Sequence, residues 1–246
     1  MKLGLSNSTN SRVPTDWTPR KFGSSLKLWL RKDTGITESD GTPAENGEDI
    51  EKWLDQSGLN NDMLDASAGT KEWTYNSTAG GSESADSENS KFFLAADGSK
   101  DITFTAGFAC YARFSISAVT TGAHDLFVYD SDDTANDFLR LQTTTEVRSK
   151  INGGTKIGWT YTNPTLDSFN NWGYERDGSN NLTTYLNNSA LARVTSAGYL
   201  TGAVSGNFVL DAIGGNFDGI LKEVVWLDRG LTSDERTELQ TYFNTL

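Results

Sequence analysis

The sequence predicts an all-β domain: a two-sheet antiparallel jelly-roll sandwich with an extended N-terminal arm and one short C-terminal helix. Three observations predict it. Residues 107–117, GFACYARFSIS, alternate strictly, with Phe108, Cys110, Ala112, Phe114 and Ile116 on one face and Tyr111, Arg113 and Ser115 on the other. A period of two over that length fits a half-buried strand and not a helix. Further short apolar runs recur at even spacing between turn-rich segments, the pattern of a large antiparallel sandwich. Helical periodicity is confined to the C-terminus, where one short helix cannot form a layer of its own and must pack on the sheet edge or end.

The elements follow in order. Residues 1–22 are polar, with Pro14 and Pro19 bracketing Trp17, and read as an extended arm. In SLKLWLR, Leu26, Leu28 and Leu30 share one face of a strand. Residues 33–49 are an acidic loop, 50–54 a short strand and 55–62 a turn cluster. Residues 76–90, NSTAGGSESADSENS, have the lowest complexity in the chain and read as a mobile surface loop. Strands are expected at 91–95, 107–117, 124–129, 137–142, 145–151, 155–161, 206–213 and 219–227. The segment 168–187 reads as a hairpin turning at Asp177-Gly178. At the C-terminus Thr232 precedes Glu235 by three, a capping box, and Leu239, Phe243 and Leu246 form one apolar stripe.

Composition sets bounds. A chain of 246 residues, 36% hydrophobic and 11% aromatic, can bury a sizeable core as one β-domain. No internal repeat divides it, so residues 23–246 are expected to be a single domain behind the arm of residues 1–22. The single cysteine, Cys110, excludes an intrachain disulfide, and with one histidine it disfavours a zinc or redox site. The net charge of -12 disfavours a nucleic-acid partner, because affinity for phosphate comes mainly from Lys and Arg. The charge is uneven: residues 1–31 carry +5 and the remainder −17, so arm and body are expected to meet different surfaces. No window approaches the roughly 18 apolar residues of a membrane span, and MKLGLSNSTNSRVP lacks the apolar run of a cleaved leader.

LKLWLRKDTGIT at 26–37 with WLDQSGLNND at 53–62, WGYERDGSNNLTTYLNNSAL at 172–191 and FDGILKEVVWLDRGLTSDERTELQTYF at 217–243 together resemble the laminin-G-like, concanavalin A-like jelly rolls of tailed-phage virion and bacterial surface proteins. The segments at 26–37 and 53–62 look like the family's opening strand and its Trp-x-Asp-x-Ser-Gly-x-x-Asn-Asp turn. The segment at 172–191 is similar to its central hairpin, and that at 217–243 to its last strand and closing helix. The arm, KLGLSNSTNSRV, resembles the starts of some tailed-phage virion proteins, where a leader docks the domain on the particle. The resemblance implies a fold that hosts lectins, glycosidases, adhesion modules and virion parts.

Candidate chemistry is sparse. Glycosidases of the resembled fold carry three acids on one strand face, and hydrolysis needs two carboxylates across a cleft. The nearest match, Glu83, Asp86 and Glu88, has the wrong spacing and reads as a solvated loop. Cys110 lies on the core face of its strand and His124 reads as a surface residue, so neither makes a nucleophilic site. Asp130, Asp132, Asp133 and Asp137 in YDSDDTANDF are candidate calcium ligands, since calcium takes hard oxygen donors in flexible loops. The alternative is an acidic turn. In GWTYTN, Trp159 and Tyr161 share a strand face beside Asn163, a candidate saccharide platform whose alternative is core filling.

The functional expectation is a non-catalytic structural or interaction module, a phage virion accessory protein such as a capsid decoration, head fibre or tail component. Arg12, Trp17, Arg20 and Lys21 would dock its arm on capsid or other virion proteins. It would assemble in the host cytoplasm, insert into no membrane and display a body that meets host-surface glycans. The alternatives are an extracellular or cell-surface lectin and a glycoside hydrolase with an unrecognised site.

Overall fold

A computed structural model describes residues 17–65, 73–84, 92–94, 100–116, 124–129, 137–152, 154–162, 168–214 and 218–246. A 3-10 segment, Pro19–Ser25, leads into β1 (Leu26–Leu30), β2 (Ile36–Thr37), β3 (Lys52–Trp53), β4 (Met63–Asp65) and β5 (Trp73–Asn76). Next come β6 (Gly81–Ser84), β7 (Phe92–Phe93), β8 (Ile102–Phe104), β9 (Phe108–Ile116) and β10 (His124–Val128). The second half holds β11 (Phe138–Thr143), β12 (Glu146–Lys150), β13 (Ile157–Thr160), β14 (Asn170–Arg176) and β15 (Leu182–Leu186). It closes with β16 (Ser189–Ala190), β17 (Ala192–Arg193), β18 (Phe208–Leu210), β19 (Ala212–Ile213), β20 (Gly219–Leu227) and α1 (Ser233–Asn244).

These strands form two large antiparallel sheets and a small ribbon. One sheet runs β16-β15-β14-β9-β20-β6-β5, with β1 also paired to β20. The other runs β17-β13-β12-β11-β10-β19-β7-β4-β3-β2, and β8 pairs with β18 apart from both. The fold is therefore the expected β-sandwich with one C-terminal helix. Phe108, Cys110, Ala112, Phe114 and Ile116 of β9 all join the inter-sheet core, together with Phe127, Leu139, Leu141 and Val147 of the facing sheet. Aromatic rings interlock there: Phe108 stacks on Phe208 with centroids 4.7 Å apart, and Phe127 meets Trp226 edge-on at 5.9 Å.

β9 is buried on both faces, not half-buried. Its outward Ala109 and Tyr111 lie in a second core with Trp17, Phe22, Trp29, Val225, Tyr242 and Phe243. The helix packs on the outer face of the eight-stranded sheet rather than on its edge or end. Its Leu239 and Phe243 are fully buried, each worth roughly 1.5–3 kcal/mol. Thr232 caps it as the sequence indicates, accepting from the Glu235 amide while Glu235 accepts from the Thr232 amide.

Other expectations need correction. Leu26 does not share a face with Leu28 and Leu30, because a bulge between Leu26 and Leu28 turns it toward the outer core. Residues 76–84 of the loop expected over 76–90 are ordered, since β5 and β6 form a hairpin and β6 pairs with β20, and residues 85–90 lie outside the described residues. Gly81 permits that pairing, since a Cβ there would strike the Leu221 carbonyl and lie 2.9 Å from the Lys222 Cα. Residues 17–22 belong to the body, because Pro19, Phe22 and Trp17 are buried.

The turn WLDQSGLNND is a hydrogen-bonded staple. Asp55 accepts from the amides of Trp29, Ser57 and Asn61 at 2.8–3.0 Å and from the Ser57 hydroxyl at 2.6 Å. Asn61 donates in turn to the Lys27 carbonyl at 2.6 Å. The turn is thereby fixed against β1.

Candidate functional site

All seven tryptophans, at 17, 29, 53, 73, 159, 172 and 226, are buried, so none offers an open stacking platform. The expected saccharide platform needs correction on that ground. Trp159 is 1% exposed and meets Tyr174 edge-on at 5.8 Å. Tyr161 packs edge-on against Trp172 at 5.4 Å and donates to the Thr143 carbonyl at 2.8 Å. Both side chains fill core, and Asn163 lies outside the described residues.

Trp17 is likewise not free to dock. Its indole donates to Glu238 at 3.0 Å and packs against Phe22 and Tyr242, so it anchors the chain to its own helix. Arg20 and Lys21 stay exposed, and Arg12 lies outside the described residues. Asp137 is buried and accepts from the amides of Asn152 and Val209. Its oxygens hold backbone together and do not fit an open calcium ligand. Asp130, Asp132 and Asp133 lie outside the described residues, and among the described residues no group of three His, Cys, Asp or Glu could hold a metal ion.

Glu83 sits on β6 and accepts from Asn76 at 2.7 Å, while Asp86 and Glu88 lie outside the described residues. Cys110 is buried, and burial pushes its thiol well above the usual range. His124 is 1% exposed, not a surface residue, because its strand lies inside the ten-stranded sheet.

An open polar depression lies elsewhere. A cleft of about 540 Å³ opens between the β14–β15 hairpin, the β20–α1 connection and the loop at Ala106-Gly107. Thr183 and Tyr185 face it from β15, Asp177 and Asn181 from the hairpin turn, and Arg236 from the helix. The turn is self-braced: Asp177 accepts from the Ser179 and Asn181 amides at 2.8 and 2.9 Å and from the Asn181 side chain at 3.0 Å. Those bonds hold its carboxyl below the ordinary carboxylate range.

Two arginine forks build the wall. Arg236 donates to both oxygens of Glu175 at 2.8 and 2.9 Å and lies 4.3 Å from the centroid of the Tyr185 ring. Tyr111 donates to the same Glu175 from below. Arg229 grips both oxygens of Glu235 at 2.6 and 2.8 Å, and that fork, with the Thr232 cap, pulls the Glu235 carboxyl down to about 2. Arg176, fully buried, rivets the opposite wall by donating to the carbonyls of Ala106 at 2.6 Å and Phe104 at 3.1 Å.

The cleft thus presents paired charges, amide and hydroxyl groups on a rigid frame. That arrangement suits an uncharged polyhydroxylated ligand, whose many hydroxyls hydrogen-bond to fixed polar groups. Sequence reading missed it because Glu175 and Arg236 are far apart in the chain. Only the Arg-Asp-Gly turn and the capping box marked its two rims.

No family model and no curated protein matches the chain. Solved β-sandwich structures do, and they define the class by fold. The chain is similar to Trypanosoma rangeli sialidase in complex with sialic acid, with TM-score 0.53 and 15% identity over 89% of this chain and 32% of that one. It is also similar to the botulinum neurotoxin serotype D binding domain, with TM-score 0.53 and 10% identity over 90% of this chain and 52% of that one. The binding domain of Paraclostridial Mosquitocidal Protein 1 aligns with TM-score 0.55 and 14% identity over 91% of this chain and 53% of that one. The chain therefore spans about a third of the sialidase and about half of each toxin domain. At these identities the likeness is one of fold.

Proposed function

We propose that this domain is a non-catalytic, lectin-like binding module that takes a saccharide in the cleft beside Tyr185. The observation that carries the reading is that polar cleft, ringed by engaged carboxylates. Glu175 is held by Arg236 and Tyr111, Asp177 by its own turn and Asp228 by Lys27 at 2.8 Å. All three are already bonded to groups of the protein itself, which supports a binding role. The matched toxin structures, described as binding domains, support the same reading by analogy of fold.

A glycan array, run with and without calcium, tests it. Bound glycans should be released at least about tenfold more readily from Tyr185→Ala than from the parent, with the variant still folded by circular dichroism. Retention on Tyr185→Ala, turnover of a glycan, or no bound glycan would each overturn the reading.

Attachment to a larger assembly, a phage particle, is the second part of the proposal. The charge contrast supports it: residues 1–31 carry +5 against an acidic body, and Arg20 and Lys21 are exposed. Deleting residues 1–16, which keeps the buried Trp17, together with Arg20→Glu and Lys21→Glu at the exposed cations, should abolish co-sedimentation with particles while leaving glycan binding intact. Co-sedimentation at parental levels would remove the arm from this role.

A further inference from the structure

We propose that the cleft is one half of a continuous groove that holds an unbranched, uncharged oligosaccharide along its length rather than by one terminal sugar. The inference rests on the saccharide reading above and extends it. A second depression of about 410 Å³ is lined by Lys27, Asn61, Asp101, Asp228 and residues 102–106. It shares Ala106 and Asp228 with the cleft of about 540 Å³. The two lie side by side along that boundary. Each falls within the roughly 300–1,000 Å³ of a small-molecule site, so one sugar does not fill the pair.

The chemistry is alike on both sides of the boundary. Thr103 and Thr105 are exposed in the second depression, as Asn181 is in the first. At the junction the Lys27–Asp228 ion pair closes at 2.8 Å with both partners part-exposed. The cations that line the groove, Lys27, Arg229 and Arg236, are each paired with a carboxylate. Asp101 and Asp177 add negative charge. A polyanion would meet no unpaired cation and several carboxylates, whereas neutral hydroxyls meet donors and acceptors throughout.

Both walls are built before any ligand arrives. Arg176 fixes the carbonyls of Phe104 and Ala106, at the partition between the two depressions. On the far side Asn61, bonded to the Lys27 carbonyl at 2.6 Å, fixes the Asp55 turn. A preformed groove loses little on ordering, so each added sugar that touches it should tighten binding.

The test is calorimetric titration of the full chain with malto-, cello-, laminari- and xylo-oligosaccharides, from monosaccharide to hexasaccharide. In at least one series, affinity should rise about tenfold or more between disaccharide and hexasaccharide. Thr103→Ile with Thr105→Ile, exposed changes that take two hydroxyls from the far depression, should bring the hexasaccharide back toward disaccharide affinity and leave disaccharide binding beside Tyr185 unaffected. Polygalacturonate should bind more weakly than the neutral chain. Binding of short sugars that does not tighten with length, or tighter binding of the polyanion, overturns the extended groove while leaving the saccharide reading in place. Absence of binding at every length in every series overturns both.

Discussion

The Tyr242 hydroxyl of the helix donates at 2.6 Å to the Glu223 carboxylate of β20, and the Trp29 indole donates to the same oxygen at 2.7 Å. The second oxygen accepts from the Lys32 amide at 3.3 Å. Three segments, β1, β20 and α1, meet on one fully buried carboxyl.

Burial raises Glu223 from 4.5 to about 7, against the pull of the Tyr242, Trp29 and Lys32 bonds and of Arg31. A carboxyl raised on folding binds its proton more tightly in the native state than in the unfolded one. Its contribution is therefore fully favourable below about pH 4.5 and is lost as pH rises to about 7. The loss amounts to about 3 kcal/mol at most. Glu223→Gln keeps an acceptor for Tyr242 and Trp29 but does not titrate. Urea denaturation should find it more stable than the parent at pH 8 and similar at pH 5. A variant whose stability slopes with pH as the parent's does would place the titration elsewhere.

At the opposite end of the helix the titration has the other sign. Glu235 is held near 2 by Arg229, helped by the Thr232 cap. Its stabilisation is present above about pH 4.5 and fades as pH falls toward 2. Thr232→Ala removes the acceptor of the Glu235 amide and should cost about 1 kcal/mol at neutral pH. Thermal melts should show that deficit, and it should not grow on acidification to pH 4.5.

Asp55 is the strongest single test of the turn that the sequence motif marks. Asp55→Ala strips the partner from three amides and one hydroxyl at once. Some of these groups reach water in the variant, which limits the cost to about 2–3 kcal/mol. Asp55→Asn keeps one acceptor oxygen and should lose roughly half as much, measured by the same denaturant midpoint. Equal losses in the two variants would mean the charge, not the bonding pattern, matters.

The fold was legible where local pattern and long-range packing agree. β9 announced itself through alternation, the helix through its capping box and stripe, and the β14–β15 hairpin through Asp177-Gly178. What failed was whatever depended on a second layer. Tyr111 reads as outward-facing, and it is, but the helix and residues 17–22 cover it. His124 read as exposed because nothing local signals a strand inside a ten-stranded sheet. Trp159 and Tyr161 share one strand face, and that face is core. The cleft joins Glu175 of β14 to Arg236 of the helix, a pairing that spans sixty-one positions and leaves no periodic trace.

Gly173 sits opposite Tyr111 in the β14–β9 pairing, and its missing side chain makes room for the Tyr111 ring. A Cβ at Gly173 would fall on Cε1 and Cζ of that ring, closer than carbon atoms approach. The ring is fixed below by Glu175 and above by the helix, so it cannot swing aside without breaking the Tyr111–Glu175 bond. Gly173→Ala should therefore destabilise the domain by about 1–3 kcal/mol, although alanine has the higher strand propensity. It should also shift the Arg236 fork that rests on Glu175, and with it the wall of the cleft. Pairing the change with Tyr111→Phe, which removes the hydroxyl but keeps the ring, separates the two effects. If steric pressure on the ring is the cause, Gly173→Ala costs nearly as much in the Tyr111→Phe background. If the Tyr111–Glu175 bond carries the loss, the double variant is no worse than Tyr111→Phe alone.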